Sequence, residues 1–387
     1  MTVLSVLDFL SLICLVPMVG GTFFSLLTVM AIAKFLARSP SANPFTPPVT
    51  VLKPVRGLEK DLKANLQTIA QQDYPDYQII YSVQDPQDPA LPLLRQIQSE
   101  YRDRPIEVVV ATVEAGANGK VNNLLGGLSL AQHDLLVISD SDTVLKSDYL
   151  KTLIAPLQDP QVGCVCTPFK LIRAQSWYEK LELLSINTDF IPSVIFAEVT
   201  GLSKACLGPS LALRRSTLDK MGGLASLADY LVEDFELGRR VWTGGQKMVL
   251  LPYFIETVVD LKSWQDWWLH QVYWDQNTYL ARPLPFIATI VVKAIPFALL
   301  LVLLRGADAI SLGGLALVLL IRSLTAALVA CQLQDQETLR SLYLLPLREA
   351  IAIIFWALAF SQRKVTWRGV EFRLTGQGKM VPIKNGN

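Results

Sequence analysis

Histidine is scarce. His133 and His270 are the two in 387 residues, so a histidine-rich zinc centre is excluded by supply alone. Cysteine offers no metal site either. Cys14, Cys164, Cys166, Cys206 and Cys331 are odd in number, scattered and without metal-type spacing, and read as reduced, mostly core residues. Net charge is nearly absent. Thirty-five Lys and Arg face 34 Asp and Glu, a formal +1, which gives nucleic-acid binding no electrostatic support. Charged residues make up 18% of the chain, hydrophobic ones 51%, and the mean hydropathy is +0.35. That is too apolar for an ordinary soluble enzyme and too polar for a pure helical bundle. A mixed membrane enzyme is the natural reading. Internal repeats and low-complexity segments are also lacking.

What is there begins with a long apolar run, Phe9 to Phe35. A bilayer core needs about 20 such residues. A signal peptide would be shorter, with an early positive charge and a small-residue cleavage site. Here Asp8 precedes the run, while Lys34 and Arg38 stand at its far end. The run is expected to be an uncleaved anchor, residues 1–38, with its N-terminus outside and the chain after Arg38 in the cytoplasm. The Pro-rich "SPSANPFTPPVT" cannot continue the helix. In the last third, Leu284–Leu304 and Ile310–Val329 read as two spans joined by "RGADA". Leu342–Phe360 is a third apolar stretch, interrupted by Pro346, Arg348 and Glu349. Arg348 and Glu349 neutralise each other or border a lipid path. The basic tail "QRKVTWRGVEFR" falls outside by counting spans, and inside if the third segment is re-entrant or interfacial.

Between the apolar ends the pattern changes to short apolar strands alternating with polar helices. Strands are expected at Val49–Leu52, Tyr77–Val83, Ile106–Ala111, Leu135–Ser139 and Gly163–Thr167, and helices at Asp61–Gln71, Ala90–Tyr101 and Lys120–Ala131. Such alternation predicts an α/β domain with a mostly parallel sheet, and ligands beyond the carboxyl ends of its strands. This domain is expected to span residues 39–283, with residues 284–387 forming the C-terminal membrane helices and tail. Two interfacial helices are expected within it, at about 177–201 and 263–282. A buried core helix is the other reading of the first. The second crowds Trp264, Trp267, Trp268, His270, Tyr273 and Trp274, as aromatic belts do at bilayer surfaces; a sugar or lipid platform explains them too.

Three acidic segments carry the chemistry. "LLVISDSDTVL" ends a strand in Asp140 and Asp142, two carboxylates that can share one Mg²⁺ or Mn²⁺ and so neutralise a nucleotide-sugar diphosphate. "YSVQDPQDPA" places Asp85 and Asp88 after the strand ending at Val83, where an acid can hold base and ribose; an Asp/Pro turn is the equal alternative. "YLVEDFELGRR" sets Glu233 beside Asp234, and a carboxylate there can take the proton of an acceptor hydroxyl. Acids at a helix start are also favoured by its dipole.

Together, "VTVLKPVRGLE", "VQDPQDPA", "GKVNNLL", "ISDSDTVL", "GPSLALRRSTLDKMGGL", "LVEDFELG" and "VTWRGVEFRL" resemble the ceramide glucosyltransferase family of GT-A-type membrane glycosyltransferases, from about Val49 onward. Bacterial hopanoid-associated members look similar. The family pattern is three aspartates followed by QxxRW or RxxRW. The resemblance implies Asp85 as the first aspartate, Asp140 as the second and Asp234 as the third, the base. It places Pro54, Arg56, Lys120, Asn122 and Asn123 on the donor, with Asp85, Asp140 and Trp274, and Asp140 and Asp142 on the metal. Glu233, His270 and Tyr273 fall on the acceptor or interface side. In the last motif Trp274 is kept, but His270 replaces the usual Gln or Arg and Tyr273 the usual Arg. The metal and Lys120 then carry more of the leaving diphosphate's charge, or Arg239 or Arg240 substitutes; losing one such donor costs about 10²-fold.

The activity implied is metal-dependent, inverting transfer of one sugar, glucose favoured, from a UDP-sugar to the hydroxyl of a membrane lipid. Ceramide, diacylglycerol or a hopanoid are the candidate acceptors. A processive polysaccharide synthase needs more spans and the QxxRW arginine. A non-catalytic membrane member of the fold rests on the lost arginine alone.

Overall fold

The computed structural model describes residues 6–38, 45–204, 206–361, 364–367, 370–375 and 378–383. Part of the Pro-rich linker (39–44) and parts of the basic tail lie outside them. The chain forms two compact units that interleave in sequence. One comprises Met1–Phe35, Arg173–Thr200 and Leu261–Arg363, the other Leu36–Ile172, Gly201–Asp260 and Lys364–Asn387.

The second unit is α/β. Its strands are β1 (Val49–Pro54), β2 (Tyr77–Val83), β3 (Ile106–Val110), β4 (Leu135–Ser139), β5 (Thr143–Val144), β6 (Val162–Cys166), β7 (Phe169–Ile172), β8 (Ser210–Arg214), β9 (Lys247–Leu250) and β10 (Ile255–Val258). Seven of them form one sheet in the order β3-β2-β1-β4-β8-β6-β9. β1 to β4 run parallel, and β8 is antiparallel to both neighbours. Every residue of β1, β2, β4 and β6 is buried. Helices cover both faces of such strands, which is why they read as apolar runs without alternation. Two of the polar exceptions answer each other inside: Thr50 donates to Gln78 Oε1 at 2.9 Å, and Gln78 in turn donates to Leu130 O at 3.1 Å. β5, β10 and β7 make a small second sheet. Strand order runs outward from β1 to β3 and restarts on the other side of β1 with β4, so the topological switch point lies between β1 and β4.

The first unit is helical. Val6–Leu36, Trp177–Thr200, Ala309–Gln332 and Gln336–Leu358 are long and apolar enough to cross a membrane, and Pro283–Val292 with Ala294–Leu304 forms a further pair bent by 50°. Leu303, Ile310 and Val6 are at least 73% exposed, tolerable where lipid rather than water surrounds them. On this ground the chain is an integral membrane protein. The first helix packs closely. A Cβ at Gly20 or Gly21 would meet the carbonyl oxygens of Val291 and Val292 at 2.6 and 2.4 Å, the small-residue contact that brings membrane helices together. Thr22 and Ser25 turn their hydroxyls back onto Met18 O and Gly21 O, so neither exposes an unpaired donor.

Trp177–Thr200, the segment expected at the interface, is continuous but irregular. Ser176 and Glu179 form a capping box, and Ile186–Phe190 winds as a π-turn between two α-helical halves. Its polar residues are answered within the unit: Asn187 donates to Asp335 Oδ2 and Thr338 Oγ1, and Asp189 pairs with Arg348 at 2.7 Å. Arg348 and Glu349 do neutralise each other, at 3.2 Å, and Arg322 joins Glu349 at 2.7 Å. Trp264–Ala281 is one helix, with Trp267 buried and both Trp267 and Trp268 meeting Phe355 edge-on.

Candidate active site

The carboxyl ends of β1 and β4 flank the switch point, and the site grows from what each carries. β4 runs into Asp140-Ser141-Asp142. The turn is held from beneath by Lys53 in β1, which is fully buried and donates to Asp140 O at 2.6 Å and Thr143 Oγ1 at 2.9 Å. It is held from the side by Ser141, whose hydroxyl donates to Glu59 at 2.6 Å. A lysine inside a buried strand is costly unless its charge is answered. Burial pushes Lys53 down to about 8, opposed by Asp142, Asp140 and Glu59.

β8 enters antiparallel beside β4, so its preceding loop, Gly208-Pro209, arrives at the same edge; Asp140 N donates to Pro209 O at 3.2 Å. Two helix N-termini also converge there. Asn118 caps the helix Gly119–Leu128, its side chain accepting from Lys120 N and Val121 N, while its amide donates to Tyr230 O and Glu233 Oε2. One side chain thus ties this helix to the start of the helix Glu233–Thr243.

Lys120 is the hub. Its ammonium pairs with Asp140 Oδ1 at 2.8 Å and Glu233 Oε1 at 3.3 Å, and reaches Gly208 O at 3.5 Å. Burial pulls Lys120 down, but Asp140 and Glu233 hold it well above the usual lysine range. Gly208 leaves room for this convergence. A Cβ there would lie 2.8 Å from Asp234 Oδ2 and 3.3 Å from Lys120 Nζ. Asp234 Oδ1 accepts from Phe235 N at 2.7 Å. Burial and the adjacent Glu233 push the Asp234 carboxyl up to about 7, with Lys120 opposing. A carboxyl in that range suits proton transfer near neutrality.

The acidic turn fits a divalent cation. Asp142 Oδ1 is buried without a hydrogen-bond partner, and burial, with Asp140 and Glu59 nearby, pushes the Asp142 carboxyl up to about 8. A cation would relieve both conditions. Among the described residues no group of three His, Cys, Asp or Glu forms a closed metal site. Asp140 and Asp142 would supply two ligands, and donor phosphates and water the rest, as Mg²⁺ and similar ions prefer.

The residues singled out in the sequence separate into three groups. Asp140, Asp142, Lys120, Glu233 and Asp234 come together. Asp85 and Arg56 lie in the surrounding loops, while Pro54 at the end of β1 and Asn122 and Asn123 in the helix Gly119–Leu128 flank them. Asp85 is exposed and accepts from Gln87 N within its own turn, while its neighbour Asp88 is buried, accepting from Gly57 N and Ala90 N. Asp88 therefore shapes the loop after β1. Asn122 bonds Ala115 N and Gly116 O; Asn123 donates to Val55 O and keeps a buried Oδ1 without a partner. Pro54 ends β1, buried, with Arg56 exposed beyond it. The third group, His270, Tyr273 and Trp274, belongs to the helical unit. His270 Nδ1 lies 2.9 Å from Glu182, Trp274 Nε1 donates to His270 Nε2 at 3.2 Å, and Tyr273 stacks on His270. Arg239 and Arg240 both engage Glu236 at 2.7 Å. Lys53, Glu59, Asn118 and Gly208 were missed in the sequence. The one signal was Lys53, a charge inside an otherwise apolar strand.

The sequence profile of glycosyl transferase family 21 matches residues 10–380. Ceramide glucosyltransferase 1 of Caenorhabditis elegans is 22% identical over 250 residues, covering 63% of this chain and 53% of that protein. The Candida albicans ceramide glucosyltransferase is 30% identical over 123 residues, covering 28% and 22%. The chain thus spans about half the length of the relatives it matches, or less. Among solved structures, the mannosyltransferase PcManGT of Pyrobaculum calidifontis, in complex with GDP-Man and Mn²⁺, superposes with a TM-score of 0.55 at 19% identity, over 91% of this chain and 98% of that one. That likeness establishes the GT-A-like fold.

Proposed function

Because this chain belongs to glycosyl transferase family 21, we propose that it moves one sugar from a nucleotide-sugar donor to the hydroxyl of a membrane lipid, with inversion at the anomeric carbon. The observation that carries this reading is the gathering of Asp140, Glu233 and Asp234 around Lys120, beside Asp142, at the switch-point edge.

The donor's diphosphate lies near the Asp140-Ser141-Asp142 turn, where Lys120 offers a cation and the N-terminus of the helix Gly119–Leu128 adds partial positive charge. Asp140 and Asp142 would hold a divalent cation, which would supply charge neutralisation for the leaving diphosphate. Asp234 accepts the acceptor's hydroxyl proton. The freed oxygen forms its bond to the anomeric carbon as the bond from that carbon to the diphosphate oxygen breaks, and the nucleoside diphosphate leaves with the bonding pair. Glucose as the transferred sugar and ceramide as acceptor are supported by the names of the relatives. Lys34 in the last turn of the first apolar helix and Arg38 just beyond it favour a cytoplasmic catalytic unit.

The test is incubation of the purified protein with UDP-sugars, Mn²⁺ and lipid extracts, with products identified by mass spectrometry. The expected result is a lipid carrying a single hexose. No glycolipid from any donor, or a polymer, overturns the reading. Asp140→Ala should abolish donor binding, whereas Asp234→Asn should bind donor and fail to turn over.

A further inference from the structure

The helical unit holds a second polar cluster, which the transfer chemistry does not use. It begins at the π-turn Ile186–Phe190 inside the apolar segment Trp177–Thr200. Such turns strain a helix and recur at functional sites. Asp189 in this turn pairs with Arg348, and 38% of its side chain stays exposed. Arg348 also donates to Ser185 Oγ and Glu349, and Arg322 to Glu349 and Thr188. The inner part of the cluster is therefore paired.

Its outer part is not. Phe190, next to Asp189, meets Trp274 edge-on with ring centroids 5.3 Å apart. This contact sets Asp275 beside the π-turn. Asp275 lies within electrostatic reach of Lys293, Arg348 and Asp189, and Asp189 within reach of Lys293. Among the described residues neither the Asp275 carboxylate nor the Lys293 ammonium makes a hydrogen bond or ion pair, and both residues are half-buried. Unanswered charges among apolar helices are expensive, and where they occur they mark a ligand path.

The charge balance narrows the ligand. Arg322, Arg348 and Lys293 oppose Asp189, Glu349 and Asp275, three against three. A net anion gains nothing from this cluster overall. A neutral group with both hydroxyl donors and carbonyl or amide acceptors would answer the carboxylates and the ammonium at once. The flanking Phe190 and Trp274 rings suit an adjoining apolar chain.

We propose that Asp189, Asp275 and Lys293 form a binding site for the polar part of a neutral lipid bearing hydroxyl and amide groups. This rests on the lipid-acceptor reading above and names the acceptor's recognition site, apart from the residues that do the chemistry.

The test uses the full chain in nanodiscs, as wild type, Asp275→Asn and Lys293→Met, probed with short-chain ceramide and phosphatidylglycerol. Ceramide affinity should fall about tenfold in each variant, the effect of about one charge-assisted hydrogen bond, with phosphatidylglycerol retention unchanged. In turnover the acceptor KM should rise about tenfold while kcat stays within about twofold, and Asp275→Glu and Lys293→Arg should recover part of the affinity. An unchanged UDP-sugar thermal shift verifies that the variants are folded. Unchanged ceramide affinity and acceptor KM in both variants overturn the site and leave the proposed transfer intact. Ceramide binding that is lost in the variants while the wild type makes no glycolipid keeps the site and overturns the transfer. Tighter wild-type binding of phosphatidylglycerol than of ceramide also overturns the proposal.

Discussion

The Asp234 carboxyl should set the acid limb of the pH–rate profile, and its two charged neighbours should move that limb in opposite directions. With a midpoint at about 7, Asp234 is about 9% ionised at about pH 6 and about 91% at about pH 8, so kcat/KM should rise about tenfold over that interval. Glu233→Gln removes a negative neighbour. Ionising Asp234 becomes easier, and the limb should move down by about one unit, or about 1.4 kcal/mol. Lys120→Met removes the cation, and the limb should move up by about 1–2 units. Both neighbours are shielded from solvent, Lys120 with 19% and Glu233 with 16% of its side chain exposed, so salt should screen these shifts only weakly. Asp234→Asn should lose about 10²–10⁴-fold in kcat, with no limb left. The assay is UDP release against pH at limiting donor, saturating lipid and saturating Mn²⁺, so that proton release from Asp142 on metal binding adds no limb of its own. Limbs that move the same way in Glu233→Gln and Lys120→Met would refute the assignment, as would a limb that survives in Asp234→Asn.

Other perturbations follow from the same geometry. Gly208→Ala drives a methyl to 2.8 Å from Asp234 Oδ2 and should lower kcat by about 10²-fold through misplacement of the base, read by steady-state kinetics with donor binding as control. Mn²⁺ should raise the melting temperature more at about pH 8 than at about pH 6, because metal binding must displace a proton from Asp142, whose carboxyl sits at about 8. Asp142→Asn should abolish that stabilisation, and equal shifts at both pH values would contradict the site. In the metal-free protein the raised carboxyls of Asp142 and Asp234 stabilise the fold fully below their unfolded values near 4. That contribution is lost as pH rises through about 7 to 8, so the melting temperature should fall across this window. Lys53→Met removes one buried donor from the Asp140 carbonyl and the Thr143 hydroxyl, which keep the bond between them, and should cost about 1–3 kcal/mol of stability by denaturant titration.

Much of the α/β unit was legible because its strands are buried on both faces. Tyr77–Val83 and Leu135–Ser139 match their expected bounds, and β1, β3 and β6 differ by one or two residues. β8 was not legible. "SLALR" is short and ends in Arg214, and only its place between β4 and β6 makes it a central strand. The two to four residues each of β5, β7 and β10 carry too little pattern to register. In the site, Asp140, Asp142 and Asp234 could be found because each follows an apolar strand or opens a helix. Gly208 and Asn118 act through approach in space, which spacing along the chain does not encode. Asp85 and Asp88 show the ambiguity of a turn-forming acid: either reading fits "QDPQDP", and in the folded chain Asp88 ties down the neighbouring loop through Gly57 N.

The interleaving of the two units bears on how the protein is made. β8 is the partner shared by β4 and β6, yet it leaves the ribosome only after Trp177–Thr200 has been synthesised. Until then both strands lack their central partner, and their open edges are templates for association with other chains. Synthesis of this enzyme therefore commits an apolar segment to the bilayer before the seven-stranded sheet can close. A delay in membrane insertion should appear first as aggregation of the α/β unit rather than as loss of the helices.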